Sequence, residues 1–235
     1  MSIVDSGATR FAVYLARHPL AGRGGTADGV AEILREAIVD GVLEPGTWLR
    51  ENELAHQLNV SRTPIRDAFR TLASEGFLTT SANQGAVVAT MTSDDIVELY
   101  TMREALEGLA ARLAARRATR LTNVELARIL AEMRTAGATR LWDDLAALNL
   151  TFHKVIRVAA GNRYLDRSLT ELDRAVRRFR YTTYELPGRV EESYDEHMRL
   201  AEAIGLGDAA RAERLAREHM LRLAELRIRM LLEGY

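Results

Sequence analysis

Leu58-Asn59-Val60-Ser61-Arg62-Thr63-Pro64-Ile65-Arg66-Asp67-Ala68 is the stretch that decides the fold of the N-terminal half. It reads as the end of one short helix, a tight turn and the start of a second helix. Leu54, Ala55 and Leu58 fit one face of a helix running from Glu51 to about Leu58. Ser61 is suited to cap the first N–H groups of the next helix, and Pro64 is tolerated in a first turn. That helix continues through Leu72 and ends at Gly76.

Working outward, Val30, Ile33, Leu34, Ala37 and Ile38 form the apolar face of an earlier helix, which Asp40-Gly41 ends. Pro45-Gly46 makes the following turn. On the other side, Phe77 to Thr80 and Ala86 to Thr90 read as two short strands, with Asn83-Gln84-Gly85 supplying the turn chemistry between them. Two helices joined by a tight turn, then a hairpin, make a winged helix-turn-helix. The second helix of that motif presents its N-terminal residues to base edges in the major groove. Here those are Ser61, Arg62, Thr63 and Arg66. Arginine can bond two guanine acceptors at once, and hydroxyls at a helix N-terminus can hold phosphate. Gln84 and Gly85, at the hairpin tip, are candidates for a backbone or minor-groove contact. The competing reading is a solvated face: residues 26–90 carry five basic against nine acidic side chains, a net of -4.

The whole chain of 235 residues suits one large domain or two modest ones, and 47% hydrophobic residues suffice for a core. Lys+Arg 32 against Asp+Glu 33 excludes a strongly basic chain but not a local basic patch. The absence of cysteine removes disulfides, thiolate metal sites and cysteine nucleophiles. No window approaches the roughly 20 apolar residues of a membrane span, and the arginines near the start do not suit a signal peptide, so a cytoplasmic protein is expected. Gly22-Arg23-Gly24-Gly25 marks residues 1–25 as a flexible tail.

From Ser93 to Glu233 the pattern is helical. Ile96, Leu99, Met102, Leu106, Leu109 and Leu113 recur at three- and four-residue spacing. Further helices are expected over Leu121 to Met133, Leu141 to Ala160, Tyr164 to Tyr184, Val190 to Ile204 and Asp208 to Leu232. With short loops, six such helices form an antiparallel bundle, so the fold class is mainly α: an N-terminal winged helix-turn-helix (26–90) and a C-terminal all-α bundle (93–233).

Three of the five histidines lie in that bundle, and His153, His197 and His219 each fall on an inward stripe. Asn149 precedes His153 by one helical turn, so its oxygen shares a face with that imidazole. Neutral imidazole is a good ligand for zinc and related divalent metals. Three readings stay open on the residues alone: hydrogen-bonded core histidines, a shared polar pocket, or a metal site. Arg103 likewise has two, an anion partner for a ligand or a salt bridge to Glu104, Glu107 or a neighbouring helix.

The segment Leu43-Glu44-Pro45-Gly46, then Glu53-Leu54-Ala55, Val60 to Ala68, and Glu75-Gly76 closely resembles the GntR family of bacterial transcription regulators. The resemblance implies that Arg62 and Arg66 contact DNA, supported by Ser61, Thr63, Gln84 and Gly85. Asn52 departs from it, since many members carry arginine there. The C-terminal half resembles the FCD-type ligand domain of the FadR-like subfamily, through Arg103 with Leu106 and Glu107, Asn149 to His153, Gly161 to Leu165, Glu196-His197 and His219. Many members hold a divalent metal with one Asp and three His. The resemblance places His153, His197 and His219 in the histidine roles and Asn149 where Asp is common. Zinc, nickel and manganese are the candidate ions. The resemblance also implies an effector carboxylate, with Arg103 and Asn149 as its contacts.

The expected function is a homodimeric repressor of transcription that reads a short palindromic operator in double-stranded DNA, with its affinity shifted by a small organic acid. The rivals are an architectural DNA-binding dimer without an effector, and a metalloenzyme tethered to DNA. The second lacks support: no HExxH, GxSxG or phosphate-loop pattern is present, and Glu196 sits off the inward stripe.

Overall fold

The structure, a computed structural model, describes residues 4–18, 25–81, 85–177, 179 and 182–234. It divides into two compact units, one from the N-terminus to Met91 with Ala175–Arg180 grouped to it, the other containing the remaining residues from Thr92.

The N-terminal unit opens with helix α1 (Val4–Arg17), where a flexible tail is expected. Phe11 and Tyr14, one turn apart, are buried in the core of this unit. Tyr14 donates to Asp40 at 2.9 Å, and Arg10 to Glu44 at 3.0 Å. The glycine-rich stretch that suggested a tail lies after this helix, and an aromatic pair at i, i+3 gives the helix something to bury. Helix α2 (Ala27–Val39) is capped by Thr26, whose side chain accepts from Gly29 N, and it buries Val30, Ile33, Leu34 and Ala37.

Strand β1 (Trp48–Leu49), helix α3 (Glu51–Leu58) and helix α4 (Arg62–Ser74) follow. Asn59 (φ 52°) takes the left-handed conformation that turns the chain between α3 and α4. Ile65, Ala68, Phe69 and Leu72 form the buried face of α4. Arg35 grips Glu75 through two bonds of 2.8 and 2.9 Å, fixing α2 to the end of α4. Strands β2 (Leu78–Ser81) and β3 (Gly85–Val88) complete the wing. The sheet has three strands in the order β1-β3-β2, not two, because Trp48 and Leu49 pair antiparallel with Val87 and Ala86. A two-residue strand has no periodicity to be read.

The C-terminal unit comprises α5 (Ser93–Arg117), α6 (Arg120–Ala138), α7 (Trp142–Ala160), α8 (Arg163–Val176, whose last two residues group with the first unit), a 3-10 turn (Thr183–Glu185), α9 (Arg189–Gly205) and α10 (Ala209–Glu233). Helix α8 ends well before Tyr184. Thr182 and Glu185 instead close a capping box around the 3-10 turn, giving the local backbone an alternative to helix. The buried face of α5 is also rotated from the leucine stripe. Met102 is exposed, whereas Arg103, Glu107, Ala110, Ala111 and Ala114 are buried. The reason is chemical: this face is filled by a paired Arg and Glu and by alanines that let α10 approach. The core around it is built from Leu126, Ile129, Phe152, Ile156, Leu169 and Leu200 among others.

Candidate DNA-reading and metal-holding sites

In the first unit, Ser61, Arg62, Thr63 and Arg66 are all exposed at the start of α4. Ser61 occupies the N-cap position, but its hydroxyl makes no capping bond, contrary to the expectation from sequence. Arg62 and Arg66 converge on one acceptor. Glu51 Oε2 accepts from Arg66 Nε at 2.8 Å and from Arg62 Nη2 and Nε at 3.1 and 3.3 Å. Burial acts to raise the Glu51 carboxyl, but the hydrogen bonds from Arg62 and Arg66 outweigh it and hold the group below its ordinary value. Asn52 is exposed on α3.

Of the hairpin pair, Gln84 lies outside the described residues. Gly85 is described, and its geometry gives it a structural task. Its φ is +116°, and a Cβ there would lie 2.2 Å from the Leu49 carbonyl oxygen. Glycine lets β3 approach β1 at this point.

In the second unit, His153 on α7, His197 on α9 and His219 on α10 are all buried. Each can offer a ring nitrogen to one centre, with those atoms within 4.8 Å of one another. The His153 and His197 Nε2 atoms are 3.4 Å apart. Tetrahedral zinc with nitrogen ligands at 2.0–2.1 Å sets neighbouring ligand atoms about 3.4 Å apart. The Nε2 of His219 is buried without a hydrogen-bond partner.

Two outer nitrogens are held from behind, and the third has a carboxylate close by. His197 Nδ1 lies 2.7 Å from the Ser193 carbonyl and 3.2 Å from Ser193 Oγ. His219 Nδ1 lies 2.5 Å from Glu196 Oε2, and His153 Nδ1 is 3.6 Å from Glu107 Oε2. Acceptors behind Nδ1 favour the tautomer whose Nε2 lone pair faces inward. Burial pushes His197 well below the ordinary imidazole value and His219 down to about 4, so both are neutral at neutral pH. The carboxylates remain charged. Burial opposes this, but His153, Arg103 and Arg157 bring Glu107 to about 2, and His219 and Arg189 bring Glu196 to about 2.

Glu196 is therefore not a bystander, as its place off the stripe suggested. It bridges His219 and Arg189, which grips it at 2.8 and 2.7 Å. Its position beside His197 in sequence was the available signal. Arg103 is buried, with Glu107 at 3.2 Å and Asp173 at 3.5 Å. Arg157 also binds Asp173. The salt-bridge alternative for Arg103 is thus present in the structure, and the i, i+4 spacing to Glu107 carried it.

Asn149 Oδ1 accepts from Tyr184 Oη at 3.1 Å, and Tyr184 Oη lies 3.3 Å from Ser193 Oγ. A chain of polar contacts runs from Asn149 through Tyr184 and Ser193 to His197. Burial raises the Tyr184 hydroxyl to about 12, so it stays protonated and can donate. Sequence reading missed Tyr184 and Ser193, which no motif marks. A cavity of about 310 Å³ lies against this pair, with Met133, Gly137, Leu145 and Tyr194 in its wall. Two larger grooves, of about 680 and 520 Å³, lie along α6 and touch none of the three histidines.

Residues 26–88 match the family described as "Bacterial regulatory proteins, gntR family", and residues 98–222 match "FCD domain". The HTH-type transcriptional repressor RspR of Escherichia coli K12 is 28% identical over 83% of this chain and 86% of its own length. The probable D-xylose utilization operon transcriptional repressor of Paenarthrobacter nicotinovorans is 32% identical over 83% and 85%. Among solved structures, E. coli McbR/YncC shares the fold with a TM-score of 0.68 at 24% identity, over 85% of this chain and 96% of that one.

Proposed function

This chain belongs to the GntR family of bacterial regulatory proteins and carries an FCD domain, and on that premise we propose that it is a DNA-binding repressor whose operator affinity is set by a small carboxylate bound at a metal in the C-terminal unit. Its relatives are transcriptional regulators, not enzymes, and both of those described above bear the name repressor.

The observation that carries the metal reading is the buried histidine trio, with two of its outer nitrogens hydrogen-bonded from behind and the His219 Nε2 unpartnered. An unpaired buried nitrogen is costly unless something binds it. These donors fit a divalent cation: His153, His197 and His219 would hold it, with Asn149 as a neutral oxygen donor nearby. Bound there, zinc, nickel or manganese would supply a Lewis-acidic centre that coordinates a carboxylate oxygen. Ser193, Glu107 and Glu196 orient the imidazoles. Tyr184 orients the Asn149 amide through its hydroxyl. Arg103 holds Glu107 behind His153, and direct pairing of Arg103 with an effector requires the carboxylate to displace Glu107 or Asp173.

On the DNA side, Arg62 and Arg66 read base edges while Ser61, Thr63 and the wing around Gln84 and Gly85 hold the backbone. A single wing-and-helix unit offers few contacts, so we expect a homodimer on a short palindrome. Helix α5 follows the Met91–Thr92 junction and carries Arg103 and Glu107, so a shift of α5 on effector binding is the proposed route of coupling.

The test is elemental analysis of untagged protein prepared without chelator, beside His153→Ala. Near-stoichiometric metal that the variant loses is the expected result. If incubation with zinc, nickel and manganese leaves both proteins metal-free, the Asn149 departure has closed the site and the metal reading fails.

A further inference from the structure

Against the start of α4, where the proposed reading has phosphate approach, the fold sets an acid from α3. Glu51, the first residue of α3, has a side chain only 17% exposed, whereas those of Arg62 and Arg66 are 53% and 49% exposed. One carboxylate oxygen serves both guanidinium groups, and it does so asymmetrically. Arg66 is held through Nε at 2.8 Å, with no bond to Glu51 from Nη1 or Nη2. Arg62 is held along its side, through Nε and Nη2. Two guanine acceptors require two neighbouring N–H groups on one side of the guanidinium. The Nη1–Nη2 end stays free on both residues, and its second bond leaves Arg62 less freedom to reorient than Arg66.

We propose that Glu51 is a positioning residue that sets DNA specificity: it aims the Arg66 fork at a guanine, restrains Arg62, and opposes binding wherever that guanine is missing. Arginine on a long flexible stem binds phosphate anywhere, which is the sequence-independent part of DNA affinity. A fixed carboxylate between two such arginines lowers that part in two ways. It neutralises one of the two positive charges, and it repels phosphate that comes close. Correct base contacts offset this cost, and phosphate contacts alone do not. Glu51 thus acts as a built-in penalty on wrong sites. The inference rests on the DNA-binding reading above.

Wild-type full-length protein is first used to select a preferred duplex from a random pool. Kd is then measured for that duplex and for a scrambled one, across salt concentrations, for wild type and Glu51→Gln. Gln keeps the shape and one acceptor but loses the charge. The expected result is tighter binding of Glu51→Gln to scrambled DNA and a specificity ratio lower on the order of ten-fold. The salt slope on scrambled DNA should steepen by about one phosphate contact. Glu51→Asp, which retains the charge, should keep the wild-type salt slope. Should Glu51→Gln prove poorly folded in thermal melts, Glu51→Asp against Arg66→Lys decides: the proposal requires Arg66→Lys to lose preference at one base pair and Glu51→Asp to lower the ratio. Equal weakening of both duplexes, or no change in either, shows a merely structural acid and overturns the proposal. If wild type enriches no sequence, the DNA-binding reading itself fails, an outcome distinct from the others.

Discussion

Gly85 entered as a candidate DNA contact, and the structure adds a second requirement at that position. With φ at +116° and the Leu49 carbonyl 2.2 Å from a would-be Cβ, alanine must distort the wing. Gly85→Ala should cost about 1–3 kcal/mol of N-terminal stability. Urea unfolding followed by Trp48 fluorescence in a Trp142→Phe background checks this, and a wild-type midpoint would show that the wing adapts. In the other unit, Glu196 links Arg189 to His219 and fixes the ring from behind. Glu196→Gln should weaken zinc affinity about 10–100-fold while the helices stay folded. Chelator competition reads the affinity and circular dichroism the fold. Unchanged zinc affinity would remove Glu196 from the centre.

At the scale of elements, local signals decided where most helices start and stop, and competition between signals decided the exceptions. Helix α5 begins at a closed capping box, in which Thr92 Oγ1 accepts from Asp95 N and Asp95 Oδ2 accepts from Thr92 N. Thr92→Ala should therefore cost about 1 kcal/mol, read as a lower denaturation midpoint of the C-terminal unit. An unchanged midpoint would mean that packing against α10 alone sets where α5 begins. Helix α8 shows the opposite case. Arginines, threonines and tyrosines after Val176 carry no apolar stripe strong enough to oppose the polar capping of the 3-10 turn, so the helix stops early. Helix α1 was missed because its buried pair, Phe11 and Tyr14, is too small a pattern to distinguish from chance in a leading segment.

For the whole molecule, the proposed regulation is a linkage between two sites, and linkage is reciprocal. If a carboxylate weakens operator binding by some factor, the operator must weaken carboxylate binding by the same factor. Calorimetry of the carboxylate with and without the selected duplex measures it. Unequal factors would mean that the ligand acts other than by binding this protein. Light scattering should give twice the chain mass of 26.2 kDa in solution. A monomer at working concentration would leave a palindromic operator without its physical basis.

Sequence by itself determined the division into a wing-and-helix unit and a helical unit, the four residues at the head of α4 and the inward stripes bearing the histidines. These depend on local chemistry: periodicity, turn residues and capping, each expressed within a few neighbours. It did not determine what stands behind those residues. Glu51 beneath two arginines, Glu196 and Arg189 behind His219, Tyr184 against Asn149, and Leu49 against Gly85 join positions from different elements. The tertiary structure chose them because a buried polar group must find a partner wherever packing brings one, and no spacing rule along the chain fixes which.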